Sequence, residues 1–466
     1  MYWVKIIVKF KAFRQEKGFY RGVLALMLPL IAQNFVSSSM SLADTFMVGV
    51  LGETELAAVT MANTPFFIVL VLSFGIQSGS GVLVAQYHGR GNKEAINRVM
   101  GVGLYVSLTA TTALALVSWF FPEALMRLLT NNEELIAPGA EYARIVGFSY
   151  VFASASGLYI AVQRSMENPR FGAVVLCGSG LLNVLLNYLL IFGKLGFPQM
   201  GIAGAAVATL ISRAVELLVV VPYAFRSRRL PLLPRLLLRP GRMMTRDFVR
   251  YAAPVVVNEL LWSFAFSVYA VIIGHMPNNT PLLAAFTLAG NIDRLLTVGM
   301  FACGGAAAVI IGREIGMGRT QTVYAKGLAL NLVALVFGFA SSAVIWLVRA
   351  VAARQYIFPL MSLGDEAARV AMYMLLVLVI VAPLRAVNFT NIVGVFRGGG
   401  DVRFALVLDV APMFFLCVPL AALTGLGLGL GIEFVYLCIY SDDLIKALFG
   451  FPRVASRRWI NNVTRD

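Results

Sequence analysis

The sequence predicts an all-α integral membrane protein of about twelve transmembrane helices in two pseudo-symmetric six-helix bundles. Three observations lead there. Hydrophobic residues make up 59% of the 466 and charged residues only 13%, with a mean hydropathy of +0.81, whereas a soluble domain carries ~25% charge. About twelve apolar stretches are long enough to cross a hydrocarbon core of ~30 Å, at 22–51, 56–87, 99–121, 142–163, 171–193, 200–225, 250–275, 281–312, 326–348, 369–396, 404–426 and 429–451. The second half also repeats the first. Pro29 and Pro254 are 225 residues apart, as are Gly49 and Gly274; LAAVTMA from Leu56 returns as LAAFTLA from Leu283; Gly89 and Gly91 return as Gly316 and Gly318. With six spans in each half, both halves enter from the same side, so the repeats are expected to be parallel and related by an axis along the membrane normal.

Residues 1–21 carry Lys5, Lys9, Lys11, Arg14, Lys17 and Arg21 without a short apolar core and cleavage site. They read as a retained cytoplasmic arm. The first lobe is expected over 22–225, a basic cytoplasmic linker over 226–249, the second lobe over 250–451 and a cytoplasmic tail over 452–466. Basic residues follow the even-numbered spans (Arg90, Lys93 and Arg98; Arg164 and Arg170; Arg313 and Arg319; Arg397 and Arg403), while the opposite loops, such as Gly52 to Thr54 with Glu53, are poorer in positive charge. The bias puts both termini in the cytoplasm of a cell inner or plasma membrane. Arg349, Arg354 and Arg369 run against it. The linker region holds Arg226, Arg228, Arg229, Arg235, Arg239, Arg242, Arg246 and Arg250 against the one acid Asp247. Its expected partner is the lipid bilayer, through anionic headgroups. The net charge of +15 is spread over such inter-span segments, a pattern of membrane loops rather than of nucleic-acid binding.

Chemistry is sparse. Asp44 is the carboxylate of the first span, about two turns inside its far end at 1.5 Å per residue. Placing Asp near the middle of a spanning helix costs roughly 2.5–3.5 kcal/mol, less toward an interface, so a partner or a task is expected. Cys177, Cys303, Cys417 and Cys438 lie in apolar runs without metal-type spacing. His88 and His275 stand too far apart in the topology for a zinc site or a relay. No GxxxxGK[ST] phosphate loop is present, and Gly398 to Gly400 read as a tight cytoplasmic turn. No cofactor is expected.

Four runs in order, ADTFMVG around Asp44, GLLNVLLNYLLIFG from Gly180, GIAGAAVATLISR from Gly201 and FRGGGDVRF from Phe396, resemble the multidrug and toxic compound extrusion (MATE) transporters over nearly the whole chain. The resemblance implies efflux of small molecules, chiefly organic cations, in exchange for Na⁺ or H⁺ by alternating access, with no enzymatic activity. The family's first-helix carboxylate maps onto Asp44 and its fifth-helix asparagine pair onto Asn183 and Asn187, with Thr209 as a further oxygen. Residues four apart share a helix face, so both amides can meet one carboxylate, or with it one Na⁺. The alternative for the asparagines is interhelical hydrogen bonding at ~0.6 kcal/mol each. In the second half Glu259, Asp293, Asn388 and Asp409 are candidates for a substrate or proton site, with structural salt bridging as the alternative. Glu259 stands about one turn before the glutamate of other branches, and Asn388 stands near the place of a tenth-helix aspartate. Pro29 and Pro254 interrupt the first helix of each half, as a static kink or as a bending point. The chain is expected to act as a monomer. Other readings are a lipid-linked oligosaccharide flippase of the same superfamily, or a membrane enzyme or channel.

Overall fold

A computed structural model describes residues 15–358 and 364–465. Residues 1–14 of the expected arm therefore lie outside the described residues. In order, the helices are α1 (Phe19–Gly49), α2 (Glu53–Gly89), α3 (Lys93–Phe120), the short α4 (Pro122–Arg127), α5 (Glu133–Ser165), α6 (Pro169–Phe192), α7 (Gly201–Arg226) and the short α8 (Pro234–Leu238). They continue as α9 (Arg242–Gly274), α10 (Asn279–Gly316), α11 (Thr320–Leu347), α12 (Asp365–Phe389), α13 (Val402–Pro412), α14 (Ile432–Tyr440) and α15 (Asp442–Ser456). Three of them run on through π-helical turns: α11 into Val348–Ile357, α12 into Thr390–Phe396, and α13 into Met413–Cys417. The α13 rod continues through Val418–Ala422 to Leu423–Gly427.

Eleven of these helices are long and apolar enough to cross a membrane. The twelfth stretch, 429–451, is two helices that meet at Ser441, ahead of the acidic pair that opens α15. Large apolar side chains such as Val174, Leu218, Ile380 and Phe415 are exposed on the spans. Hydrocarbon is the solvent that suits them, and an α-helix satisfies its backbone polar groups internally, as that solvent demands.

Helix ends follow from local chemistry. Asn92 accepts from the Ala95 amide at 2.9 Å and Asn132 from the Glu134 amide at 3.1 Å, starting α3 and α5. Pro169 opens α6, and Gly193, at φ 64°, closes it in the left-handed conformation that costs other residues most. The duplication is visible in the same details. α1 and α9 end at Gly49 and Gly274, α2 and α10 at Gly89 and Gly316, and the turns beyond the latter two hold Gly91 and Gly318 at φ 75° and 76°.

The chain forms two compact units, Pro29–Val256 and Val257–Asp466, the latter joined by the residues before Pro29. The divisions thus fall inside α1 and α9, at or just after their prolines. In the first unit α5 packs on α2, α3 and α7 around Phe66, Met126, Tyr142, Val146 and Ala206. In the second, α12 packs on α10 and α11, with Tyr269, Met374, Leu378 and Tyr436 in its core.

The linker is docked rather than loose. Asn97 of α3 donates to Pro231 O at 3.2 Å and accepts from the Leu233 amide at 3.1 Å; Arg98 donates to Pro240 O at 3.1 Å and Tyr105 to Leu238 O at 2.9 Å. Asn97→Ala removes both part-buried hydrogen bonds to the linker, at about 0.5–1.5 kcal/mol each. Trypsin is expected to cut at the linker arginines roughly tenfold faster in that variant, since cleavage follows the opened population. An unchanged digestion rate would show that the docking contributes nothing.

Glycines 398–400 make room for the C-terminal tail. The Trp459 side chain is fully buried, its indole N–H donates to Val454 O at 3.0 Å, and a Cβ on Gly399 would stand 2.7 Å from the indole ring. The Asn461 amide then donates to Gly399 O at 2.8 Å.

Candidate functional site

The first unit brings Asp44 of α1, Asn183 and Asn187 of α6, and Thr209 of α7 onto one cavity of about 510 Å³. Close packing of α6 on α7 sets this up: a Cβ on Gly204 would lie 2.7 Å from Leu190 O, so only glycine lets the two backbones approach. Asn187 is 1% exposed and Asn183 8%. The Asn187 amide nitrogen donates to Asp44 Oδ1, while its own Oδ1 is buried without a hydrogen-bond partner. An unpaired buried amide oxygen beside a carboxylate is a place where a cation or water gains a ligand.

Asn183 lies between Asp44 and Thr209. One end of its amide is 2.9 and 3.2 Å from the two Asp44 oxygens, the other 3.3 Å from Thr209 Oγ1. With nitrogen toward Asp44, the amide donates to a carboxylate. With oxygen toward Asp44, a proton or a cation has to stand between them. The amide can therefore serve both charge states of the site.

Among the described residues, no Lys or Arg forms a salt bridge with Asp44. Arg213, on the same cavity, is engaged elsewhere: it pairs with Glu216 at 2.7 Å, one turn further along α7, and Ser156 of α5 also donates to Glu216. Sequence reading had one sign of this pair available, its i,i+3 spacing inside a span. It missed the aromatic wall. Tyr142 and Tyr150 of α5 meet Asn63 of α2 at 3.4 and 3.5 Å, and Tyr150 stacks on Phe66 with ring centroids 4.7 Å apart. No local signal marks these residues, because the helix face they share is set by packing.

The candidates of the second unit are each held by a partner within it. Arg397 pairs with Glu259 at 2.7 Å, and Arg385 grips both oxygens of Asp293 at 2.7 and 2.9 Å. Lys446 bridges Asp409 and Asp442, each at 2.7 Å, and Asn258 donates to Asp409 at 2.8 Å. Asn388 donates to Asp443, at 2.9 Å to the carboxylate and 2.7 Å to the backbone oxygen. Among the described residues no group of three or more His, Cys, Asp or Glu forms a metal site. The four cysteines are unpaired thiols.

A multi-pass helical protein with a polar, acid-lined cavity inside one of its bundles is built as a membrane transporter. The MatE family model matches residues 29–189 and 254–423, and the chain belongs to that family of transporters, which are not enzymes. The match falls once on each half of the duplication. Among relatives, the uncharacterised transporter YisQ of Bacillus subtilis (strain 168) is 22% identical over 94% of this chain and 95% of its own length. The probable multidrug resistance protein NorM of Rhizobium meliloti (strain 1021) is 30% identical over 69% of this chain and 68% of its own. Two solved structures share the fold with a TM-score of 0.84. One is an outward-facing multidrug resistance MATE transporter of the MOP superfamily, 21% identical over 96% of this chain and 98% of that one. The other is a MOP superfamily transporter from Pyrococcus furiosus, 20% identical over 98% of both chains.

Proposed function

We propose that this protein is a multidrug efflux antiporter of the cell or inner membrane that exports organic cations by alternating access, driven by Na⁺ or H⁺ bound at Asp44. The observation that carries the reading is the unmatched carboxylate: Asp44 is held by two amides and no side-chain cation, next to the orphaned Asn187 oxygen. A half-buried acid inside a membrane span, without a resident counter-charge, is stabilised when it takes up a proton or a cation. The oxygen donors fit either one. Asp44, Asn183, Asn187 and Thr209 together offer carboxylate, amide and hydroxyl oxygens, the set that a hard monovalent cation prefers; equally, the Asn183 amide can turn its oxygen to a protonated Asp44. Relatives named as multidrug resistance proteins support the substrate class, and Tyr142 and Tyr150 place aromatic side chains, which attract cations, among the cavity's lining. The basic linker and tail support cytoplasmic termini, and nothing in the reading needs more than a monomer.

The test is export of a fluorescent organic cation from vesicles holding the protein, under a proton gradient and, separately, a sodium gradient. Export driven by one gradient and not the other names the ion. No export under either gradient, by protein that is folded, refutes the antiport reading. A smaller effect is expected at Thr209, where Thr209→Val removes one hydroxyl worth about 1 kcal/mol. Half-saturation for the driving ion should rise about fivefold with little change in maximal rate; a lowered maximal rate at unchanged half-saturation would exclude a ligand role.

A further inference from the structure

The two halves can be compared position by position through the repeat. The offset that carries Pro29 onto Pro254 and Gly49 onto Gly274 carries Asp44 onto Tyr269. The offset that carries Arg170-Phe171 onto Arg403-Phe404, just inside the starts of α6 and α13, carries Asn183 and Asn187 onto Leu416 and Leu420. The offset that carries Gly201-Ile202 onto Gly431-Ile432 and Pro222 onto Pro452 carries Thr209 onto Ile439. Every oxygen donor of the Asp44 site is thus replaced in the second half by a residue with no carboxylate or amide. The same last offset carries Arg213 onto Asp443 and Glu216 onto Lys446, so the charged pair of α7 returns in α15 with its signs exchanged.

The structure shows what that exchange does. Lys446 Nζ stands 2.7 Å from Asp409 Oδ1 on α13 and 2.7 Å from Asp442 Oδ2 on its own helix, with a side chain only 8% exposed. Asn258 binds the other Asp409 oxygen at 2.8 Å. Two buried polar atoms nearby have no hydrogen-bond partner: Oδ1 of that same Asn258, and the hydroxyl of Tyr269. A carboxylate pair flanked by spare oxygens is what a small cation needs, and here a tethered ammonium already sits between the carboxylates.

We propose that the Lys446 ammonium is a resident cation that occupies the polar centre of the second half, so that this half takes up no mobile coupling ion and ion traffic is confined to the Asp44 site. The part concerning ion traffic rests on the antiport reading; the residency of Lys446 does not. Its consequence is specific: Lys446→Met leaves the Asp409 and Asp442 carboxylates without the ammonium between them, and free Na⁺ should take its place.

The experiment uses the full chain in detergent, with Asp44→Asn as background so that the first-half site is silent. Melting temperature is compared in sodium chloride and choline chloride at equal ionic strength. The background protein and its Lys446→Arg variant are expected to melt alike in both salts. Lys446→Met should melt higher in sodium by roughly 3 °C or more, the shift of a site filled well above its dissociation constant. Adding Asp409→Asn and Asp442→Asn to Lys446→Met should remove that dependence on sodium. A Lys446→Met protein that melts alike in both salts, or fails to fold even in sodium, overturns the proposal, as does a sodium response in the background protein. A purely structural lysine would make Lys446→Met weaker in both salts equally. The melting test contains no transport step, so failure of gradient-driven export in the parent would refute antiport while leaving this result to stand by itself.

Discussion

Asp44→Asn is expected to yield protein that inserts and folds but no longer couples efflux to an ion gradient. The substitution is nearly isosteric, and the asparagine oxygen can still accept from Asn187, so packing of α1 against α6 is retained. It also removes a charge whose place in a membrane is costly. What it takes away is the ability to hold a proton or cation by charge. A charge-assisted interaction is worth about 1.5–3 kcal/mol, so gradient-driven export of a fluorescent cation should fall roughly 10- to 100-fold in vesicles. Size-exclusion behaviour and melting temperature close to the parent's are part of the expectation. Normal export by the folded variant would remove Asp44 from the mechanism.

Arg385→Met has the largest effect expected on stability. Arg385 of α12 holds both oxygens of Asp293 on α10, and the two side chains are only 16% and 14% exposed. Its guanidinium also stands 5.4 Å from the Tyr440 ring. Removing one partner of a buried pair leaves the other charge without compensation, which costs about 3–5 kcal/mol, whereas removing both restores most of the loss. The single variant should melt many degrees below the parent in detergent, and Arg385→Met with Asp293→Asn should recover most of the difference. If the single variant melts with the parent, Asp293 is neutral or hydrated and the pair is not structural.

The Asp44 site was legible in the sequence to an unusual degree, for a local reason. An uncharged run interrupted by one carboxylate is visible without any fold, and two asparagines four apart on an apolar helix announce a shared polar face. Resemblance to the family is what assigned that asparagine pair to the carboxylate, and Thr209 was added for its hydroxyl oxygen. Tyr142, Tyr150 and Asn63 had no such announcement, since each sits on a different turn or helix and meets the others only through packing. In the second half the acids Glu259, Asp293 and Asp409 stood out in the same way as Asp44. Their partners did not: Arg397 and Arg385 lie 138 and 92 residues from the acids they bind.

Membrane residence, helical spans and the duplication were determined by the sequence alone. Each of these depends on the transfer of a single segment into lipid or on a direct match between segments, and needs no knowledge of neighbours. Among the described residues, tertiary structure alone decided which of Asp44, Glu259, Asp293 and Asp409 meet a side-chain cation and which does not. Charge pairing depends on distances of a few ångström between helices, and a carboxylate with an ammonium at 2.7 Å differs in kind from one that meets only amides. That difference separates Asp409, held by Lys446, from Asp44, held by asparagines.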